Sequence, residues 1–262
     1  MALEEMHAAI LCGGLGTRLT AAVSALPKCL APVNGRPFLE YLFFQLRSFG
    51  ISSVILCVGH RSAQISSYCG SGARWNLALD YSYEREPLGT GGALKNAASH
   101  FPPGPFFAFN GDSLFDLDLA ELFAAHLSTR ANVTLALAAV PCATRFGAVT
   151  IDDRGAITAF REKSPATHPL ADANGGNGHG ADGHSGNGHR SLINAGVYVL
   201  DRGFLDEIPN SARLVSLEHE VFPRCIGCGL FGFVSNSYFI DIGTPGDYAK
   251  AQQELPWRFQ QC

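Results

Sequence analysis

The chain has 262 residues, 47% of them hydrophobic and 16% charged, with a formal net charge of −4. This size and balance suit a folded enzyme with a full core, and the slight acidic excess excludes a broadly basic surface for a nucleic-acid partner. Apolar runs stay shorter than a membrane span, Glu4 and Glu5 stand where a leader would be basic, and eight cysteines lie scattered, with Cys12 and Cys57 inside apolar runs; the expectation is a reduced, cytoplasmic protein.

Residues 8–12 form a short apolar run, predicted as a buried strand. It feeds Gly13-Gly14-Leu15-Gly16-Thr17-Arg18, three glycines that end in a hydroxyl and a guanidinium. Glycine lets backbone approach a ligand closely, because it has no Cβ. Successive N–H groups at such a turn can form an anion-binding concavity, and arginine adds a planar fork that matches phosphate oxygens. The stretch therefore reads as a phosphate cradle, with a tight packing turn as the alternative. No Lys-Ser/Thr pair follows, as a P-loop requires, and Thr17-Arg18-Leu19 brings no third glycine of the dinucleotide type.

Lys28, directly after Pro27, reads as a second cation for the same phosphates. Pro37 suits the first turn of a helix over 38–49, where Phe38, Leu42, Leu46 and Phe49 share one face and Gly50 closes the end. Strands are predicted over 53–59, 77–83, 105–110 and 132–140, and helices over 62–68, 88–99 and 119–127. Short buried strands alternating with helices imply an α/β fold with a doubly wound, mostly parallel sheet. Ligands of such sheets bind at the carboxyl ends of the strands.

The second half changes character. Residues 146–151 and 156–161 flank Asp152-Asp153-Arg154-Gly155, a hairpin signature. Further strands are predicted over 193–200 and 238–242, and a last helix from 245 to about 254. This half should extend the sheet and supply a partly antiparallel region for a second ligand. Residues 171–190 are rich in Asn, Gly, His and Asp and are expected to be a mobile, solvated insertion. His179, His184 and His189 recur there without the preorganisation that a metal site needs. Cys225 and Cys228 make a lone C-x-x-C, for which a zinc or redox site is the lesser reading.

Two acids sit at apolar strand ends, Asp112 in Phe109-Asn110-Gly111-Asp112 and Asp241 in Tyr238-Phe239-Ile240-Asp241. A carboxylate there is costly unless paired or metal-bound, and Mg²⁺ takes one or two carboxylates together with phosphate oxygens. A second glycine loop, Glu86-Pro87-Leu88-Gly89-Thr90-Gly91-Gly92, opens a helix and is too far along the chain for the same phosphates. It is expected to hold a nucleobase, with Glu86 or a backbone carbonyl accepting the N–H donors of guanine. Glu162, Lys163 and Asn194 are candidates for a sugar and its monoester phosphate, against a bland reading as solvated polar groups.

Taken in order, these pieces resemble the sugar-1-phosphate nucleotidylyltransferases: 11–19, Pro27-Lys28, 86–93, Asn110-Gly111-Asp112, Glu162-Lys163, Asn194-Ala195-Gly196 and Asp241-Ile242-Gly243-Thr244-Pro245. The resemblance covers about residues 7 to 253. It implies a single large domain of the nucleotide-diphospho-sugar transferase fold, a Rossmann-like, mixed but mostly parallel sheet. A nucleotide-binding half spans 7–140 and a sugar-phosphate half 141–255. It implies transfer of a nucleotidyl group from an NTP to a sugar 1-phosphate with release of pyrophosphate, and Mg²⁺ as cofactor. Within the family the chain is most similar to the subgroup that uses GTP and a heptose 1-phosphate; mannose 1-phosphate with GTP and N-acetylmuramate 1-phosphate with UTP are the alternatives. Gly13, Gly14, Gly16, Thr17 and Arg18 would hold the nucleotide phosphates with Lys28 assisting, Gly91 and Gly92 would lie near the base, and Leu11 and Glu86 complete the expected nucleotide-binding set. Asp112 and Asp241 would hold the metal, and Gly147, Glu162, Lys163 and Asn194 would face the sugar phosphate. Arg18, Lys28 and Asp112 would carry the chemistry. A non-catalytic nucleotide-sugar sensor should lack some of these charged groups, and the chain keeps them all. A homo-oligomer is left open.

Overall fold

A computed structural model describes residues 2–14, 26–141, 147–161, 190–211 and 213–259. Gly16, Thr17 and Arg18 of the first loop, Glu162 and Lys163, and residues 171–189 with their three histidines lie outside these stretches.

In the first half, β1 (His7–Leu11) is followed by a 3-10 turn (Lys28–Leu30), the small hairpin β2 (Pro32–Val33) and β3 (Arg36–Pro37), and α1 (Phe38–Ser48). Then come β4 (Ser53–Val58), α2 (Ser62–Cys69), β5 (Ala78–Tyr83), α3 (Gly89–Asn96), β6 (Pro105–Asn110), β7 (Ser113–Phe115), α4 (Leu119–Thr129) and β8 (Val133–Val140). The second half adds β9 (Ala148–Ile151), β10 (Ile157–Arg161), β11 (Ser191–Asp201) and α5 (Phe204–Glu207). A π-helical turn (Leu217–Val221) runs into α6 (Phe222–Arg224), and β12 (Leu230–Ser235), β13 (Phe239–Asp241) and α7 (Pro245–Phe259) complete the chain.

The central sheet has nine strands. Seven follow the order β10-β9-β11-β6-β1-β4-β5, while β8 pairs with β11 and β12. The pairs β6–β1, β1–β4 and β4–β5 are parallel, and β11 is antiparallel to β6, β8 and β9. The doubly wound mixed sheet expected from the sequence is thus present. Its parallel character is concentrated in the first half, and the strands of the second half extend the same sheet. Among the described residues, no helix is long and apolar enough to cross a membrane.

Near-continuous apolar strands need cover on both faces, because successive side chains point opposite ways. The core divides accordingly. Ala8, Ile10, Val54, Leu56, Phe107 and Phe109 face one cluster, where α1, α4 and α7 bring Leu42, Leu122 and Leu255. Ala9, Ile55, Phe106 and Ala108 face the other, with Leu94 from α3, Leu205 from α5 and Phe222 from α6. Strand β8 obeys the same alternation, with Ala136 and Ala138 on the first side and Leu135 and Leu137 on the second.

Strand β11 is interrupted where the sequence reads Asn194-Ala195-Gly196: its register against β8 shifts between Asn194 and Tyr198. Gly196 takes φ +74°, and a Cβ there would lie 2.7 Å from both Asn110 Nδ2 and Ser113 Oγ. The residue is glycine because the bulge needs both the left-handed backbone and the room. The Asn194 side chain closes the bulge by accepting from Gly196 N at 2.9 Å.

Several elements fall outside the sequence expectations: β2, β3, β7, α5 and α6 are two to four residues long, and the π-helical turn and β12 were not anticipated either. Strand β7 matters most. It pairs antiparallel with β13, opposing Ser113 to Asp241. That short ladder brings the two acids at remote strand ends together.

Candidate active site

The carboxyl ends of β1, β5 and β6 open onto a cavity of about 390 Å³. The strand ends are tied by backbone hydrogen bonds beyond the ladders: Cys12 N donates to Cys57 O at 2.8 Å, Gly111 N to Leu11 O at 3.0 Å and Glu84 N to Val58 O at 2.8 Å. Of the residues expected at the nucleotide, Leu11, Gly13, Gly14, Lys28 and Asp112 line this cavity.

The charge centre is a triad. Lys28 Nζ lies 2.5 Å from Asp112 Oδ2 and 3.9 Å from Asp241 Oδ1. The ladder between β7 and β13 fixes the acids, and Ile242 N donates to Asp112 O at 2.9 Å. Gly243 N donates to the Asp241 carboxylate, and a side chain at Gly243 would stand 3.1 Å from Lys28 Nζ. Burial, with the neighbouring Asp112 charge second, pushes the Asp241 carboxyl up to about 6 against the pull of Lys28 and the Gly243 amide. Two carboxylates that repel one another across a partly buried mouth favour a cation between them. Oxygen donors of this kind fit a hard divalent ion that shares its shell with phosphate.

At the other end, the residue facing the cavity is Glu84, not Glu86. Glu86 is exposed, whereas Glu84 is half-buried at the end of β5 and lines the cavity. Its Oε2 accepts from Leu88 N at 3.0 Å, and its Oε1 lies so close to Gly13 that a Cβ there would overlap it. Burial raises the Glu84 carboxyl above the usual range, with the Leu88 amide opposing. The first glycine loop and the third parallel strand therefore meet through one carboxylate.

The second glycine loop is used differently from its sequence reading. Gly91 and Gly92 are not among the cavity-lining residues; Pro87, Gly89, Thr90 and Ala93 are. Gly91 N donates to Val215 O at 2.9 Å and Gly92 N to the same oxygen at 3.4 Å, while Val215 N donates to Leu88 O at 2.8 Å. The glycines thus receive the backbone of a strap from the second half. Leu214, on that strap, is exposed and forms part of the cavity wall.

Asn194 and Gly147 are brought together by the sheet. Ile193 opposes Ala148 in an antiparallel register, which carries Asn194 alongside Gly147. Cys12 and Cys29 line the cavity as free, buried thiols; a mutual hydrogen bond and burial hold Cys12 far above its usual range, so it is no nucleophile. Cys225 Sγ donates to Val221 O at 3.2 Å and, like Cys228, is a free thiol. Among the described residues, no group of three or more His, Cys, Asp or Glu side chains is poised to hold a metal.

A glycine cradle at the switch of a doubly wound sheet, facing one lysine and two carboxylates, defines a phosphate-handling α/β enzyme of the nucleotide-transferring class. The chain belongs to the nucleotidyl transferase family, whose model matches residues 7–257. It is 38% identical to the D-glycero-alpha-D-manno-heptose 1-phosphate guanylyltransferase of Aneurinibacillus thermoaerophilus, over 95% of this chain and 98% of that protein. It is 36% identical to a mannose-1-phosphate guanylyltransferase of Mycobacterium tuberculosis, over 97% of this chain and 66% of that protein. Among solved structures, HddC from Yersinia pseudotuberculosis complexed with GMP-PN superposes with a TM-score of 0.76 at 29% identity, covering 95% of this chain and 99% of that one.

Proposed function

We propose that this protein transfers the guanylyl group of GTP to a heptose 1-phosphate, giving a GDP-heptose and pyrophosphate. The observation that carries the reading is the Lys28–Asp112–Asp241 triad at the mouth of the glycine cradle, 2.5 and 3.9 Å apart. Phosphoryl and nucleotidyl transfers need positioning and charge neutralisation more than covalent help. An oxygen of the sugar phosphate attacks the α-phosphorus, the bond to the β-phosphate bridging oxygen breaks in line, and pyrophosphate leaves. Lys28 and Arg18 neutralise the charge on the departing group, and the amides of Gly13, Gly14, Gly16 and Thr17 hold its oxygens. Asp112 and Asp241 would hold Mg²⁺, which neutralises phosphate charge and aligns the two reactants when bound. Lys28, held beside both carboxylates, would present its ammonium to the phosphates from the same side. Gly147, Glu162, Lys163 and Asn194 would receive the sugar phosphate.

The base is assigned to the Glu84 end of the cavity. An ionised carboxylate only accepts hydrogen bonds. Guanine offers it two neighbouring N–H donors, whereas uracil offers one N–H between two carbonyls that a carboxylate repels. The similarity to the Mycobacterium tuberculosis mannose enzyme supports mannose 1-phosphate as a second acceptor reading with the same base. Pyrophosphate release from each of four NTPs with heptose, mannose and glucose 1-phosphates tests the proposal. GTP with the heptose is expected to give the highest kcat/KM; release with UTP and none with GTP refutes the base assignment.

A further inference from the structure

A connected set of hydrogen bonds runs from the cavity wall to Asn194, and the triad does not use it. Its centre is Glu218, half-buried in the π-helical turn after the Val215 strap. Glu218 Oε2 accepts from Thr90 Oγ1 at 2.8 Å and from Ser216 Oγ at 2.9 Å, and Oε1 accepts from the Tyr198 hydroxyl at 3.3 Å. Thr90 lines the cavity, and its hydroxyl also accepts from Leu217 N at 2.8 Å. Tyr198 is fully buried, and its oxygen accepts from Asn194 Nδ2 at 2.9 Å and meets the amide of Asn110, a cavity residue.

The direction of the bonds at the Tyr198 oxygen follows from one group. A carboxylate accepts and never donates, so Tyr198 must spend its only proton on Glu218. The Tyr198 oxygen is then purely an acceptor, and both asparagines must turn their NH₂ groups to it. Their carbonyl oxygens are thereby aimed elsewhere: Asn194 Oδ1 to Gly196 N at 2.9 Å, and Asn110 Oδ1 to a buried place with no partner among the described residues. Asn amides are nearly symmetric in shape, so their partners fix the orientation: for Asn194 the Gly196 N–H together with the Tyr198 oxygen, and for Asn110, whose carbonyl has no partner among the described residues, the Tyr198 oxygen. A π-turn at this point is consistent with a functional constraint, since such turns sit preferentially at sites.

We propose that Glu218 is a positioning residue for the transfer reaction: by taking the Tyr198 proton it keeps the Tyr198 oxygen an acceptor for the amides of Asn194 and Asn110, and so locks the sugar-phosphate end of the site to Thr90 of the glycine loop. The inference rests on the proposed guanylyl transfer for the identity of the substrates. Glu218→Gln keeps the shape but puts an NH₂ group against either Tyr198 or the Thr90–Ser216 pair. The Thr90 backbone stays anchored by the Gly91–Val215 bond. The sugar end is therefore the end that is loosened.

The test is steady-state pyrophosphate release by wild type, Glu218→Gln, Tyr198→Phe and the double variant, with thermal midpoints for each. Glu218→Gln is expected to raise KM for the sugar 1-phosphate about tenfold and to leave KM for GTP within about twofold, as one misdirected buried hydrogen bond predicts. In the Tyr198→Phe background the same substitution should add less than about twofold, because the group through which it acts is gone. An equal rise in both KM values that tracks a lowered midpoint, an unchanged sugar-phosphate KM, or a full tenfold effect in the Tyr198→Phe background each overturns the inference. Where Glu218→Gln does not accumulate as folded protein, Tyr198→Phe alone decides: a selective rise in sugar-phosphate KM upholds the inference, and unchanged KM overturns it. Wild type that releases no pyrophosphate from any pair of substrates overturns the functional reading, whereas active wild type with an indifferent Glu218→Gln variant overturns this inference alone.

Discussion

Glu84→Gln tests the proposed assignment of the base to the end of β5. The residue stands at the end of β5, accepts from Leu88 N at 3.0 Å, and turns its other oxygen toward Gly13. The amide is nearly isosteric but has one acceptor where the carboxylate has two. It must either keep Leu88 N and offer the base an NH₂ group, or serve the base and abandon Leu88 N. A hydrogen bond to a charged group contributes about 1.5–3 kcal/mol, so kcat/KM for GTP should fall about 10- to 100-fold. UTP should gain on GTP, since a Gln amide can donate to a uracil carbonyl. Stability should move the other way. Burial raises the Glu84 carboxyl above its usual value. An acid raised in the folded state binds more protons there than when unfolded, so its ionisation costs stability as pH climbs past the usual carboxylate range. At neutral pH the neutral amide avoids that cost, and the thermal midpoint should hold or rise. Stopped-assay pyrophosphate release with GTP and UTP, beside a thermal melt at pH 7.5, measures both. An unchanged ratio of kcat/KM for GTP over UTP refutes the assignment of the base to Glu84, as does a GTP loss accompanied by a lowered midpoint.

Asp241, raised to about 6 by burial and Asp112, should give kcat/KM an acid limb: activity rises with pH through about 6. The limb should move to lower pH at higher Mg²⁺, and Asp241→Asn should abolish both the limb and most of the turnover. Gly196→Ala places a Cβ 2.7 Å from Asn110 Nδ2 in a φ +74° backbone, so it should cost more than about 1 kcal/mol in denaturant melts and raise KM for the sugar phosphate. His126, buried with Nδ1 2.9 Å from Thr134 Oγ1, has its pKa lowered chiefly by burial, against the Asp201 charge. The unfolded state therefore binds the proton more readily, and stability should increase with pH from the lowered value up to about 6.5, the usual value for histidine. His126→Gln should flatten that part of the urea-midpoint profile.

What the sequence could convey follows from where the information resides. The buried strands were legible because burial on two faces demands unbroken apolar runs, and β1, β4 and β6 have them. Asp112 and Asp241 were legible as a pair because an acid at the end of an apolar strand is expensive wherever the chain folds. What joins them was not: the three-residue strands β7 and β13 are too short to show any period. Glu84 and Glu86 differ by two positions and would share a face if the strand ran on through them. Choosing between them requires knowing that β5 ends at Tyr83 and that Glu84 N is held by Val58 O. The glycines at 91 and 92 read as room for a base; a glycine marks a close approach, but composition cannot say whether ligand or backbone approaches, and here Val215 O accepts from both amides. The Glu218 network had one usable sign, the run Ser216-Leu217-Glu218-His219-Glu220, in which Ser216 Oγ accepts from His219 N at 3.1 Å as a helix cap does. Its link to Tyr198 and Thr90 is made only by the third dimension. In this molecule the residues proposed to touch phosphate are announced by their type. Those proposed to orient the sugar and the base are announced only by their partners, and those partners lie on the strap and the bulge that the second half folds back onto the first.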